Sequence, residues 1–230
     1  MQFIKGMLAG AGLVAGTAMI MGAAQPDSFD TIDVKRINVR ENDGTLRLVI
    51  AGRDNFPGSF RKGEEIARPD RTDLGGMLFV NDEGTENGGL VWKGSATTEG
   101  KRDAAASLTF DRYENDQTLQ LLQTDAGATD TSALILSDRP AEPIDHGMLE
   151  QIFAADSQDE QLRLAKDANI GGAMRVMVGR TKDRESQVSL RDSSGTPRLV
   201  LRVEADGAAR IEFLDEQGQV TRSISGNDAP

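Results

Sequence analysis

The 230-residue chain carries 26 Lys and Arg against 37 Asp and Glu, a formal net charge of −11 that repels phosphate backbones and argues against nucleic-acid binding. It has no cysteine, which excludes disulfides, thiolate metal sites, a Cys nucleophile and a lipid-bearing N-terminal Cys. One Trp and one Tyr leave little for a stacking platform, and a 38% hydrophobic content suits one core of ordinary size.

Residues 1–27 read as a signal sequence or a transmembrane anchor. Lys5 precedes an uncharged run from Gly6 to Gln25 that is apolar on every face, which suits lipid better than a protein surface. Gly22-Ala23-Ala24 offers small residues to a signal peptidase. The run nevertheless exceeds the roughly 7 to 15 residues of a signal h-region and approaches the roughly 20 that span a bilayer, which favours an uncleaved anchor. With Lys5 on its N-terminal side, the positive-inside rule places the body of the protein outside the cytoplasm. The expected location is therefore the inner membrane, facing the periplasm or cell exterior, or secretion if the signal is removed.

Residues 28–224 read as a single β-rich extracytoplasmic domain. From Ile32 onward, short runs such as INVR, LRLVI, MLFV, SLTF, ALIL, RVMVG and RLVLRV alternate apolar and polar residues with the period of a strand. Four of them lead into loops that align on glycine: VRENDGTLR, FVNDEGTEN, LRDSSGTPR and FLDEQGQVT, around Gly44, Gly84, Gly195 and Gly218. Each fits a type I turn in which Asp or Asn bonds nearby backbone N–H groups and glycine takes the positive φ that closes the loop. Glu41 replaces Asp or Asn in the first copy, so that tip should be the least well capped. The segment from Gly52 to Gly76 is longer than an ordinary connection, and such segments are often functional or mobile.

One helical element, 145–168, interrupts the strands. Asp145 is its N-cap, and Ser157 with Glu160 forms a capping box for a second start, so a helical hairpin or broken helix packing an apolar face on the sheet is expected. Residues 225–230 read as a flexible tail. The fold class is thus mainly β: an antiparallel, hairpin-built domain with one helical insertion and an N-terminal hydrophobic helix. Hairpin spacing leaves barrel, sandwich and small propeller open.

The chemistry-bearing positions are few. Asn81-Asp82-Glu83-Gly84 invites a calcium reading, but Phe79 and Val91 stand where an EF-hand loop needs ligands, so no metal is expected. His146 is the single histidine and follows a helix N-cap, and no G-x-S-x-G elbow accompanies it. Asp111 and Asp116, clustered with Arg112 and Glu114 after a strand, are the catalytic candidates: two carboxylates about 5 to 9.5 Å apart across a cleft would make a glycosidase pair, whereas a salt-bridged strand end explains the same residues. Asn87, Gly88 and Gly89 are the binding candidates, because paired glycines in a strand mark a bulge or a close approach by another backbone or a ligand. No Walker loop, G-x-G-x-x-G after a strand, or H-E-x-x-H occurs, and no cofactor is expected.

The blocks FDTIDVKRINVRENDGTLRLVI, GGMLFVNDEGTENGGLVWKG, SLTFDRYENDQ and VMVGRTKDRESQVSLRDSSGTPRLVL resemble a family of bacterial exported or membrane-anchored proteins that has no assigned activity. The likeness covers most of the chain after about Ser28, and it implies a bacterial envelope location and one recurrent domain. The functional expectation is a non-enzymatic, membrane-tethered binding or structural module, held by its N-terminal helix and meeting an envelope protein partner. The alternatives are a hydrolase acting on envelope glycans through acidic residues and a calcium-stabilised adhesion domain.

Overall fold

The computed structural model describes residues 28–226 apart from Ala128, Ala168, Asn169 and Gly171, so the expected N-terminal helix and the end of the tail lie outside the described residues. Among the described residues fourteen strands form two sheets. Twelve of them make one antiparallel meander: β1 (Arg36–Arg40), β2 (Leu46–Ala51), β5 (Gly75–Val80), β6 (Glu86–Ala96), β7 (Arg102–Asp111), β8 (Gln117–Asp125), β9 (Asp130–Asp138), β10 (Ala173–Arg180), β11 (Ser186–Arg191), β12 (Pro197–Val203), β13 (Ala209–Leu214) and β14 (Val220–Ser225). The remaining two, β3 (Ser59–Arg61) and β4 (Glu64–Ile66), pair with each other inside the Gly52 to Gly76 segment.

Among the three arrangements left open by the sequence, the sheet is none in its closed or stacked form. Its edge strands β1 and β14 are unpaired with each other, so it does not close into a barrel, and all twelve strands share one hydrogen-bonded order instead of dividing into facing sheets or blades.

The four glycine loops are hairpin tips, as their sequences predict: Gly44, Gly84, Gly195 and Gly218 all have positive φ. In each tip the fourth residue's N–H donates to the first residue's carbonyl, and the first residue's N–H donates to the fifth residue's carbonyl. Asp and Asn cap as expected. Asn81 Oδ1 accepts from the N–H groups of Glu83 and Thr85, and Asp215 Oδ1 from those of Gln217 and Gln219. Glu41 does not cap its loop and pairs with Arg47 at 3.3 Å, while Asp43 two residues on accepts from Thr45 N–H.

The same five-residue loop recurs at 97–101, 112–116, 181–185 and 204–208, where the pattern is hidden. Thr97 and Thr181 cap with a hydroxyl, Asp206 caps from the third position, and Arg184 occupies the left-handed position with φ 66°. In a meander the connections alternate between the two ends of the sheet. Every glycine loop read from the sequence lies at one end, the end at which all the register shifts of the ladder also occur, beside Arg40, Val80, Asp111, Met174, Arg191 and Leu214.

The long Gly52 to Gly76 segment is neither a plain loop nor a disordered one. Its β3–β4 hairpin buries Phe60 against Leu46, Val49, Ala51, Leu78 and Val80, with Phe56 and Val91 alongside, and this is the main core of the domain. The helical insertion forms α1 (His146–Ala154) and α2 (Gln158–Asp167), capped by Asp145 at Met148 N–H and by Ser157 at Glu160 N–H. The two helices pack chiefly on each other, not with an apolar face on the sheet as the sequence suggests. Leu162 is accordingly exposed, while Ile152 is buried. β14 extends through Ser225, and Gly226 N–H donates to Ala209, so ordered pairing reaches into the segment read as tail.

The glycines give a graded test of this backbone. A Cβ at Gly44 would meet nothing, so Gly44→Ala should cost only the left-handed strain, about 1 kcal/mol. A Cβ at Gly88, where φ is +125°, would overlap the Thr109 carbonyl oxygen. Gly88→Ala should therefore cost about 3 kcal/mol or more in urea unfolding.

Candidate functional site

Pairing registers decide which side chains share a face of the sheet. Following directly opposed residues from strand to strand gives one row: Ile37, Ile50, Met77, Leu90, Leu108, Leu121, Leu134, Val178, Val188, Leu201, Ile211 and Ile224. Every strand of the meander contributes one aliphatic or thioether side chain to it. A second row on the same face runs through Val39, Leu48, Phe79, Phe110, Leu119, Leu136, Val176, Leu190, Leu199 and Phe213, and ends at Arg222. Only β6 leaves a gap in that row, at Gly88.

None of the twelve residues of the first row is buried. Leu121 is 48% exposed and Leu201 39%, values that belong to a surface and not to a core. The face is grooved. One hollow of about 740 Å³ is lined by Val178, Val188, Leu201, Val203, Ile211 and Ile224 among others, and a second of about 440 Å³ by Leu90, Leu108, Leu121 and Leu134. Val178 lines both, so the two meet end to end along the first row.

Asn87 and Gly88 sit where β6 gains one residue against β5, the register shifting between Leu78 and Val80. The close approach that the paired glycines mark is that of neighbouring strands: a Cβ on Gly88 would meet Thr109 of β7, and one on Gly89 would meet the Met77 carbonyl of β5. Phe79 and Phe110 stack across the gap above Gly88, with ring centroids 6.2 Å apart and planes 28° from parallel. The rings restore on either side the apolar cover that glycine omits.

The opposite face carries the polar chemistry. Near the tips, Arg71 makes a bidentate pair with Glu86 at 2.7 and 2.9 Å and also donates to the Gly58 carbonyl. Asp111 lies on the same face, with Oδ1 buried and unpartnered. Burial first, then the negative charges of Glu86 and Asp116, push its carboxyl up to about 7, against the weaker pull of Arg71 and Arg139. Asp116 is paired with Arg139 at 3.4 Å, and Arg139 also donates to the Gln117 carbonyl at 2.7 Å. The sequence candidates Asp111 and Asp116 thus share a neighbourhood but not a role: one is a half-buried acid with an unpartnered Oδ1, the other an ion-paired carboxylate. Glu86, Arg71 and Arg139 complete the cluster, and their distance along the chain hides them from sequence reading.

Tip residues form a row along one edge of the sheet, two strands apart and so roughly 10 Å from tip to tip. Side chains bridge adjacent tips in pairs. Arg47 reaches Asp82, and Tyr113 Oη donates to Glu83 at 2.6 Å, a bond that pushes the phenol up to about 12 and keeps it protonated. Asn115 donates to the carbonyls of Pro140 and Glu142, tying the 112–116 tip to the segment that leads into α1. The carboxylates are therefore spread and used in pairs. Among the described residues no group of three or more His, Asp or Glu side chains is placed to hold a metal ion, Asn81 to Gly84 included.

The raised Asp111 carboxyl has a consequence for stability. Its ordinary value is 3.8, so between about pH 4 and pH 7 the folded chain holds a proton that the unfolded chain releases, and stability must fall as pH rises through that window. Asp111→Asn removes the titration. Urea unfolding from pH 5 to pH 8 should show the natural chain losing about 2 kcal/mol relative to the variant.

No protein-family model matches the chain and no curated sequence matches it, so the functional reading rests on the geometry above.

Proposed function

We propose that the chain is an exported, membrane-tethered, non-enzymatic module of the bacterial envelope, and that the apolar face of its sheet is its working surface. One observation carries the reading: twelve consecutive strands present a continuous aliphatic row to solvent. Monomeric soluble proteins rarely leave contiguous apolar patches above a few hundred Å² uncovered, and larger ones mark interaction sites. The tether rests on the uncharged run from Gly6 to Gln25 behind Lys5. Among the described residues no helix is long and apolar enough to cross a membrane, so the tether is assigned to that N-terminal run alone.

The second reading, a hydrolase of envelope glycans, is favoured by one observation, the carboxyl of Asp111 near neutrality. Its weakness is the partner: Asp116 is held by Arg139 and does not stand free across a cleft. Turnover of a glycan panel by the purified chain, lost in Asp111→Asn, would replace the binding reading with this one.

The absence of native cysteine makes the face directly measurable. In isolated membranes, Leu201→Cys on the apolar face should react with a water-soluble maleimide about tenfold more slowly than Ser223→Cys on the opposite face. Equal rates would overturn the face as working surface. The chain should also stay with the membrane pellet through a carbonate wash, and its release would overturn the tether.

A further inference from the structure

The apolar face needs an occupant, and its chemistry narrows the choice. From Ile37 to Ile224 the first row holds no charged or hydrogen-bonding side chain, and the second holds none before Arg222. A partner recognised by charge or by hydrogen bonds would find nothing on these rows to bind. What the rows offer is shape and apolar area, repeated at strand spacing, and a surface of the same composition and spacing is the natural complement. The chain's own face is such a surface.

Area supports the same occupant. Twelve strands about 4.8 Å apart extend roughly 55 Å, and two rows of side chains about 7 Å apart cover a band roughly 14 Å wide, which gives about 750 Å² per copy. Mating two such bands would bury about 1,500 Å², the size of a standard stable interface. Sheets packed face to face stand about 10 Å apart with interdigitated side chains, and the hollows along the first row are where a facing row would seat. Twist is no obstacle, because both sheets twist with the same hand and by similar steps, so the contact can follow the twist.

Resting on the reading of this face as the working surface, we propose that a second copy of this chain covers it, and that two single-layer sheets close face to face into a two-layer sandwich. Charge opposes this closure without preventing it. Each copy carries −11, and the two rows hold no charged side chain before Arg222, so repulsion between copies is long-ranged and screened by salt, while the contact along the rows is apolar. Dimer fraction should therefore rise with ionic strength, the reverse of an association held by ion pairs.

The test uses the full chain in isolated membranes with single cysteines and a bis-maleimide whose spacer is about 10 Å. Leu121→Cys lies near the middle of the first row, where a two-fold mate brings the same region of each copy together; Thr124→Cys lies on the same strand but on the opposite face. The expected result is a covalent dimer at Leu121→Cys at least about fivefold more abundant than at Thr124→Cys, increasing with added salt. Introducing Leu201→Asp into the Leu121→Cys chain should abolish the dimer while Thr124→Cys with the same substitution keeps its labelling rate, which reports that the sheet is still folded. Equal cross-linking on both faces would assign association to the N-terminal segments and overturn the proposal. Shielding of Leu121→Cys from soluble maleimide without a dimer would also overturn it, leaving a lipid or another protein on the face and the functional reading intact. Free labelling with no dimer would sink both.

Discussion

The structure depends on register. In an antiparallel sheet a slip of one residue moves every side chain of a strand to the other face, so a twelve-strand aliphatic row requires eleven pairings to be set correctly in succession. The five-residue tip is the device that sets eight of them. Its two reciprocal backbone bonds, first residue to fifth and fourth to first, fix the loop length at 41–45, 81–85, 97–101, 112–116, 181–185, 192–196, 204–208 and 215–219, whatever side chains cap it. A one-residue shift beside the tip recurs at one end of the sheet, and in β2 its extra residue turns Leu46 out of the row and into the core beneath β3 and β4. The bulge therefore feeds the small core on one face without disturbing the row on the other.

A single layer built this way divides its stability unevenly. The strands nearest the N-terminus are covered by the β3–β4 hairpin and hold the main hydrophobic cluster, anchored at its rim by the Arg71–Glu86 pair and by Arg36 against Glu65. Beyond β7 the opposite face buries Ala133, Ser189, Val200 and Glu212, and there Glu212 contacts Arg202 at 2.9 Å while Arg202 also meets Glu185. Among the described residues nothing comparable covers the aliphatic rows. Backbone pairing and cross-strand side-chain contacts hold those strands together, contributing a few tenths to about 1 kcal/mol per pair. The far half of the sheet thus holds its form by pairing while its apolar face remains open.

This division explains what could be read in advance. Tips with Asp or Asn in first place and Gly in fourth announce themselves, because capping and positive φ are local demands that only a few residues meet. Thr97, Thr181 and Glu204 open the same loops, but a threonine hydroxyl, an arginine at the left-handed position or an aspartate in third place carries no distinctive signal. The helix caps at Asp145 and Ser157 are local too, and they were legible; where the helices pack is not a local property. Gly88 and Gly89 pointed to a close approach, and only the pairing shows that neighbouring backbones make it. Asp111 stood out as a carboxylate near an arginine, whereas its setting among Glu86 of β6 and Arg71 of the Gly52 to Gly76 segment is not a local property. The aliphatic row is the extreme case. Each strand shows one unremarkable apolar residue, and continuity exists only once all eleven registers are known.

The edges complete the physical argument. An open sheet exposes two rows of unpaired backbone groups, and such edges invite other chains to add strands. Here both are blunted by charge: Arg36 and Arg40 on β1, Arg222 on β14, so joining one copy's first strand to another's last would bring arginines together across the new pair. Arg40 also turns to donate to the Gly44 carbonyl at its own tip, which leaves its side chain across the end of the edge. Growth along the sheet is thereby opposed, and the tips at the ends are hydrophilic. The two aliphatic rows carry no such protection before Arg222. A chain that guards its edges with arginine and leaves its broadest apolar surface bare directs association to that surface, and a contact between faces, unlike one between edges, is closed after two copies.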